Sequence, residues 1–323
     1  DGSVTQALVP TVYLRRPANG DLSPQGALIA GQDVLLRSTG DLSNTGTVLA
    51  YGRGDADDGQ LLVDGRNVAQ HGLLAGNDVR VLAEQTIDMT GGEVRGLGED
   101  SWARLNARDI VLRSTTRDSQ ALAEGPNGTS ISQRTEVDRI ATVAADRVVL
   151  DALQDIRLEG AVVRASDALA LRAGGRIDIG AVDTAYELHV PLGGSYAGRS
   201  GYHREQLTGQ RGSQVTSGGD ALIEAQSALT AEGSTLRADG AMFISAESID
   251  VRAGIERQSI EQQGVQPRGY DRVAESAETA IGGMVSAGQD LTVVARRDIT
   301  GAAARLRSGQ GRATLTHAPN ALL

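Results

Sequence analysis

Five aspartates, Asp33, Asp78, Asp167, Asp220 and Asp290, recur at one place relative to short apolar runs. Carboxylates are the working groups of many sugar-cleaving enzymes, which need two of them facing each other across a sugar, roughly 5 to 9.5 Å apart. A carboxylate that returns with every repeat is more simply a turn residue satisfying its own backbone. The segment GRGDADDG at 52–59 holds Arg53-Gly54-Asp55, a candidate adhesive tripeptide, and Asp55, Asp57 and Asp58 there could offer oxygen ligands to a hard cation. Gly59 comes one position too early for the calcium-loop spacing, and Arg, Gly and Asp are abundant throughout, so a solvated turn is the simpler expectation. His71, His189, His203 and His317 are scattered, which supports neither a zinc site nor a Ser-His-Asp set. Asn127-Gly128-Thr129 is a glycosylation sequon whose simpler reading is a turn. These residues predict no catalytic group, no metal and no cofactor.

Contact chemistry is better placed. Tyr and Arg carry contact energy when exposed, and the run AYELHVPLGGSYAGRSGYHREQLTGQRG at 185–212 combines both with glycine. Tyr186, Tyr196, Arg199, Tyr202 and Arg204 in this run, with Tyr270 and Trp102 elsewhere, are the candidate receptor-contact residues. Against that reading stands an edge-covering flap or a disordered excursion.

The composition says what must position them. Hydrophobic residues make up 40% of the 323, yet aromatics only 2%, so the core is built from Val, Leu, Ile and Ala. That suits a narrow, repetitive interior, and the 41 glycines suit a backbone that turns often. All 31 basic residues are Arg and the net charge is −10, a poor match to nucleic acid or an anionic membrane. With no Cys there is neither disulfide frame nor thiolate metal site. No apolar run is long enough for a spanning helix, and the start carries no signal pattern. Lacking an initiator Met, the chain is expected to be a piece of a longer protein.

The stretch AGQDVLLRSTGDL at 30–42 returns as AGQDLTVVARRDI at 287–299. In the second copy Leu291, Val293, Ala295 and Ile299 stand at offsets 0, +2, +4 and +8. The same offsets recur from Val34, Val79, Val148, Leu169 and Ala221, and from Ala241 through Phe243, Ser245, Ile249 and Val251. Alternation over short runs is the period of a strand and not of a helix. Copies start at 148 and again at 169, and at 221 and again at 241, and a unit of 20 or 21 residues has room for three short strands and their turns. That is one coil of a parallel β-helix, in which each strand pairs with its counterpart one coil on and like side chains stack inside.

The expected organisation is therefore all-β: a right-handed parallel β-helix of ~20-residue, three-strand coils with two insertions of about 30 residues. Residues 1–25 form a junction and 26–179 form coils, irregular over 93–140. Residues 180–211 are an insertion, 212–251 coils, 252–282 a second insertion, and 283–323 coils again. About a dozen coils would make a rod on the order of 60 Å long. On this template Phe243 is the sole aromatic to point inward.

The segments GSQVTSGGDALIEAQSALTAEGSTLRADGAMFISAESIDVRAG (212–254) and GGMVSAGQDLTVVARRDITG (282–301) resemble the haemagglutinin-repeat region of filamentous haemagglutinins and contact-dependent growth-inhibition exoproteins. These are large proteins of two-partner secretion. LVPTVYLRRPANGDLSPQGALIAGQDV (8–34) resembles a junction further along their rod. The resemblance implies a filament segment exported through an outer-membrane transporter, displayed on a Gram-negative surface and meeting a receptor on a target cell. It carries over no enzymatic residue. The expected function is adhesion, or receptor contact and toxin delivery. The alternative is a polysaccharide-degrading β-helix enzyme, which would line a groove with facing acids.

Overall fold

The computed structural model describes residues 27–52, 59–196, 199–266 and 268–317. The first coil is β1 (Leu28–Gly31), β2 (Val34–Arg37) and β3 (Leu42–Asn44); the second is β4 (Thr47–Ala50) and β5 (Gln60–Gln70), which bends across two faces. The same plan gives β6 (Leu73–Gly76) with β7 (Asp78–Thr90), then β8 (Glu93–Gly96), β9 (Trp102–Ala107) and β10 (Asp109–Arg113). A hairpin of β11 (Thr115–Gly125) and β12 (Gly128–Arg139) intervenes. The fifth and sixth coils are β13 (Thr142–Ala152) with β14 (Ile156–Glu159), and β15 (Val162–Ala173) with the first residues of β16 (Ile177–Tyr196). The rest of β16 and β17 (Arg199–Gly212) form a second hairpin, followed by β18 (Gln214–Ser217), β19 (Ala221–Ala225) and β20 (Ala228–Glu232). Next come β21 (Thr235–Ala238), β22 (Met242–Arg252) and a third hairpin of β23 (Gly254–Gln266) and β24 (Gly269–Ile281). The rod resumes with β25 (Met284–Ala287), β26 (Leu291–Ala302), β27 (Arg305–Ser308) and β28 (Ala313–His317).

Every coil-to-coil pairing is parallel, so the rod is the expected parallel β-helix. Its inward rows can be followed from coil to coil. On the first face Val48, Leu74, Val94, Val143, Val163, Val215, Leu236 and Val285 are successive register partners. On the second, Leu36, Val63, Val81, Leu105, Leu150, Leu171, Ile223, Ile244 and Val293 stack. On the third the row is Leu42, Val68, Ile87, Ile110, Ile156, Ile177, Leu229, Ile249 and Ile299. β-Branched side chains stacked over their own kind fill a pleated interior with little loss of rotamer freedom. Burial of each is worth about 1.5–3 kcal/mol. In the early coils the corner between the third face and the next coil is drawn too tight for a side chain. A Cβ on Gly72 would lie 1.9 Å from the Gly46 carbonyl oxygen, and one on Gly92 2.1 Å from that of Gln70.

Four expectations change. The described residues hold ten levels of coil, which span roughly 43 Å at about 4.8 Å per step, shorter than a dozen-coil rod. The stretch 93–140, expected to be an irregular coil, is a regular coil, β8 to β10, followed by the hairpin β11–β12, so three excursions leave the rod and not two. Phe243 points outward: the inward residues are Met242 and Ile244, because the bend between the second and third faces of this coil is one residue shorter than the template allows, with Ile249 standing seven places after Met242 where Ile299 stands eight after Leu291. Finally, the recurrent aspartates act between coils. Asp33 accepts from the N–H groups of Gly59 and Gln60, Asp220 from Ala241 and Asp290 from Arg312.

All three hairpins leave at the same corner, after the fourth, sixth and eighth coils. Buried serines repair the backbone there. The Ser114 hydroxyl donates to the Gly160 carbonyl and accepts from the Ala141 N–H. Ser213 does the same between Gly180 and Ala161, and Ser234 accepts from the Ser213 N–H. Ser213→Ala should therefore strand a buried N–H and destabilise the rod by about 1–3 kcal/mol. Ser259→Ala, on the hairpin surface, should stay within about 0.5 kcal/mol; chemical denaturation of both variants checks the contrast.

Candidate functional site

The hairpins do not stand alone. The second strand of each pairs antiparallel with the first strand of the next, β12 with β16 and β17 with β23. Together with the pairs within each hairpin they make one six-stranded antiparallel sheet in the order β11, β12, β16, β17, β23, β24. Among the described residues no hydrophobic side chain of this sheet belongs to the buried core. It is a single layer with solvent on both faces, held by cross-strand pairs and not by a core.

Those pairs involve the residues expected to make contacts. The Arg134 guanidinium lies 5.5 Å from the Tyr186 ring centroid. On the opposite face His189 stacks on Tyr202 at 5.9 Å, and the Tyr202 hydroxyl donates to Glu261 Oε1 at 2.7 Å. Arg272 also reaches Glu261, and Arg204 pairs with Glu187. The hydrogen bond from Tyr202, joined by Arg272, holds the Glu261 carboxyl below its ordinary range, and Glu261 in turn raises the Tyr202 phenol. A trough of about 550 Å³ crosses five of the strands, lined by Gln133, Glu187, Gln206, Ser259, Arg257 and Glu278 among others. Its two carboxylates are each tied to an arginine, Glu187 to Arg204 and Glu278 to Arg257, so they form ion pairs rather than a facing acid pair.

Tyr186, Tyr202 and Arg204 are thus brought together on one sheet, on its two faces. Arg199 opens β17; Tyr196 ends β16 and Tyr270 lies in β24, at strand positions of the same sheet. Trp102 is elsewhere, on the second face of the rod in the fourth coil, in an outward row with Gln60, Asp78 and Arg147. Arg104 covers its ring at 3.9 Å and Arg147 sits at 5.3 Å, around a cleft of about 270 Å³. Arg53, Gly54, Asp55, Asp57 and Asp58 lie outside the described residues. Among the described residues no cluster of three or more His, Asp or Glu could hold a metal, and no helix is long and apolar enough to cross a membrane. The hairpin β11–β12 is the element of this sheet that the sequence pattern does not reveal. Its signal was the turn Gly125-Pro126-Asn127-Gly128, where Gly128 has φ +121° between two polar strands.

Residues 194–266 match the hemagglutinin repeat family model, a stretch that takes in β17, two coils and β23. The chain carries a hemagglutinin repeat. The toxin CdiA of Yersinia pestis is similar to it at 27% identity over 306 residues, which is 90% of this chain and 8% of that protein. The chain therefore spans less than a tenth of the curated relative it matches. The resemblance read from the repeat segments is borne out by both comparisons. No solved structure matches the chain.

Near Trp102, a longer connection is pinned to the next coil by Asp146. Its carboxylate accepts from the Ser101 N–H at 3.1 Å and from the Ser166 hydroxyl, while the Asp146 N–H donates to Ser101 Oγ. The Ser166 bond, with backbone N–H groups of Ser101 and Asp100, holds the Asp146 carboxyl below its ordinary range despite desolvation. A depressed carboxyl stabilises the fold above its unfolded pKa of about 3.9 and loses that contribution as pH falls through the folded value. Asp146→Asn should lower stability at pH 7 and flatten the acid limb below about pH 4, as read by thermal melts across pH.

Proposed function

We propose that this chain is a segment of the extracellular filament of a two-partner-secreted surface exoprotein of a Gram-negative bacterium. In this reading it works in adhesion, or in receptor contact for delivery of a contact-dependent growth-inhibition toxin. The observation that carries it is the six-stranded hairpin sheet standing off a rod of self-stacked coils. The rod supplies reach, and the sheet offers Tyr, Arg and Gln side chains on two wet faces without a core of its own to protect. The partners are an outer-membrane transporter during export and a target-cell receptor at work. The role is contact without catalysis: of the recurrent aspartates, Asp33, Asp220 and Asp290 are spent on backbone bonds between coils and Asp78 and Asp167 on arginines, as are the acids of the trough. The similarity to CdiA supports a growth-inhibition parent over a plain adhesin.

The chain, displayed on a bead or purified, should bind target cells. Replacing Tyr186, Tyr202 and Arg204 together by Ser should lower binding several-fold without moving the melting temperature of the rod. Unchanged binding would take the sheet out of the contact, and release of reducing ends from polysaccharides would replace the reading with an enzymatic one.

A further inference from the structure

The hairpin sheet has two edges, and they are not equivalent. β24 is the second strand of its hairpin, and in the other two hairpins that strand, β12 or β17, pairs with the first strand of the next hairpin. β11 is different. The three coils before it turn their corner tightly, through Gly46, Gly72 and Gly92, and carry no hairpin. Among the described residues β11 pairs with β12 alone. Among the described residues the outer edge of β11 is therefore an unpaired strand edge, eleven residues long and exposed over all but its first residue. Natural sheets blunt such edges with Pro, charged side chains, bulges or covering loops; TTRDSQALAEG has no Pro, its bulge lies at its first residue, and its charges make the edge selective. Beyond the bulge it offers its N–H and C=O groups for addition of a strand of complementary charge.

The side chains along the edge say what would add. On one face β11 presents Asp118, Gln120, Leu122 and Glu124, partners in register of Thr135, Gln133, Ile131 and Thr129. Leu122 is 64% exposed. Asp118 and Glu124 receive threonine hydroxyls, and among the described residues neither makes a salt bridge. A strand joining antiparallel, as every other strand of this sheet does, meets Glu124, then Leu122, then Asp118. It is complementary if it reads basic, any, apolar, three of any, basic. A second copy fits poorly. Continuing the sheet register with its β24 would put Arg272 opposite Glu124 but Ala274 opposite Leu122 and Glu278 opposite Asp118, a like-charge pair in a chain of net charge −10.

We propose that the β11 edge is a docking site for an extended segment of a foreign protein carrying Lys or Arg at the two positions facing Glu124 and Asp118 and an aliphatic side chain facing Leu122. The site stands independently of the filament reading, since it can be filled in isolation. The probe is a labelled nine-residue peptide of Ser and Thr with Lys at its second and eighth positions and Val at its fourth, titrated into the whole chain by fluorescence anisotropy. It should bind saturably, about tenfold tighter than the same peptide with Glu for Lys. The double variant Asp118→Lys, Glu124→Lys, checked for an unchanged melt, should reverse that order. Methylating alternate peptide amides should abolish binding. No binding at millimolar peptide, an order unchanged in the double variant, or full binding by the methylated peptide would overturn strand addition. Concentration-dependent self-association that the double variant abolishes would assign the edge to a second copy and overturn it equally.

Discussion

The spacing between hydrogen-bonded strands governs this molecule. Each coil advances the rod by one strand spacing, about 4.8 Å, and every inward row follows because parallel register puts like residue over like. The same spacing governs what stands outside the rod. An excursion from a coil must come back, so it adds strands in pairs, and a pair needs the height of two coils. Hairpins after the fourth, sixth and eighth coils meet that condition, and their strands join edge to edge with one strand per coil level. Hairpins on neighbouring coils would collide, and wider spacing would leave gaps that no hydrogen bond spans.

Two sheets then rise at one pace with opposite physics. The rod is held by buried Val, Leu and Ile, so its stability grows with apolar area. The hairpin sheet has no buried apolar side chain among the described residues and depends on its backbone ladder and on pairs such as Arg204 with Glu187 and Tyr202 with Glu261. Its strands are continuous with the rod, as β16 shows by running from Ile177 on the third face to Tyr196 in the sheet. The rod's register is thus lent to a layer that would be marginal alone.

Much of the rod could be read from alternation alone, since offsets 0, +2, +4 and +8 are imposed by two short strands and a bend. Alternation misleads where the length of a bend varies by one residue: Phe243 fell on the inward template only because the bend after Met242 is shorter by one. It misleads again at β11–β12, whose strands are polar on both sides. A strand with no buried face writes no hydrophobic period, and its turn at Gly128 was the one local mark. Asp33, Asp220 and Asp290 lie in turns as expected, whereas Asp78 opens β7 and Asp167 lies within β15; the backbone partners of the first three lie about 21 to 27 residues away, a separation that repeat counting does not reveal. Of the contact candidates, Tyr186, Tyr202 and Arg204 share a sheet because register brings them together, whereas Trp102 belongs to the rod.

The single-layer sheet also sets a rule for its own divergence. In a strand exposed on both sides, neighbouring residues in sequence are shown to opposite directions, so one peptide inscribes two surfaces at once. A substitution edits one of them. The gain or loss of one residue within a strand exchanges the two beyond that point, presenting to the outside a surface that was formerly the reverse. In the rod the same event would turn a core outward and is forbidden. In the sheet, where no face is committed to burial, it gives a changed surface on an unchanged frame.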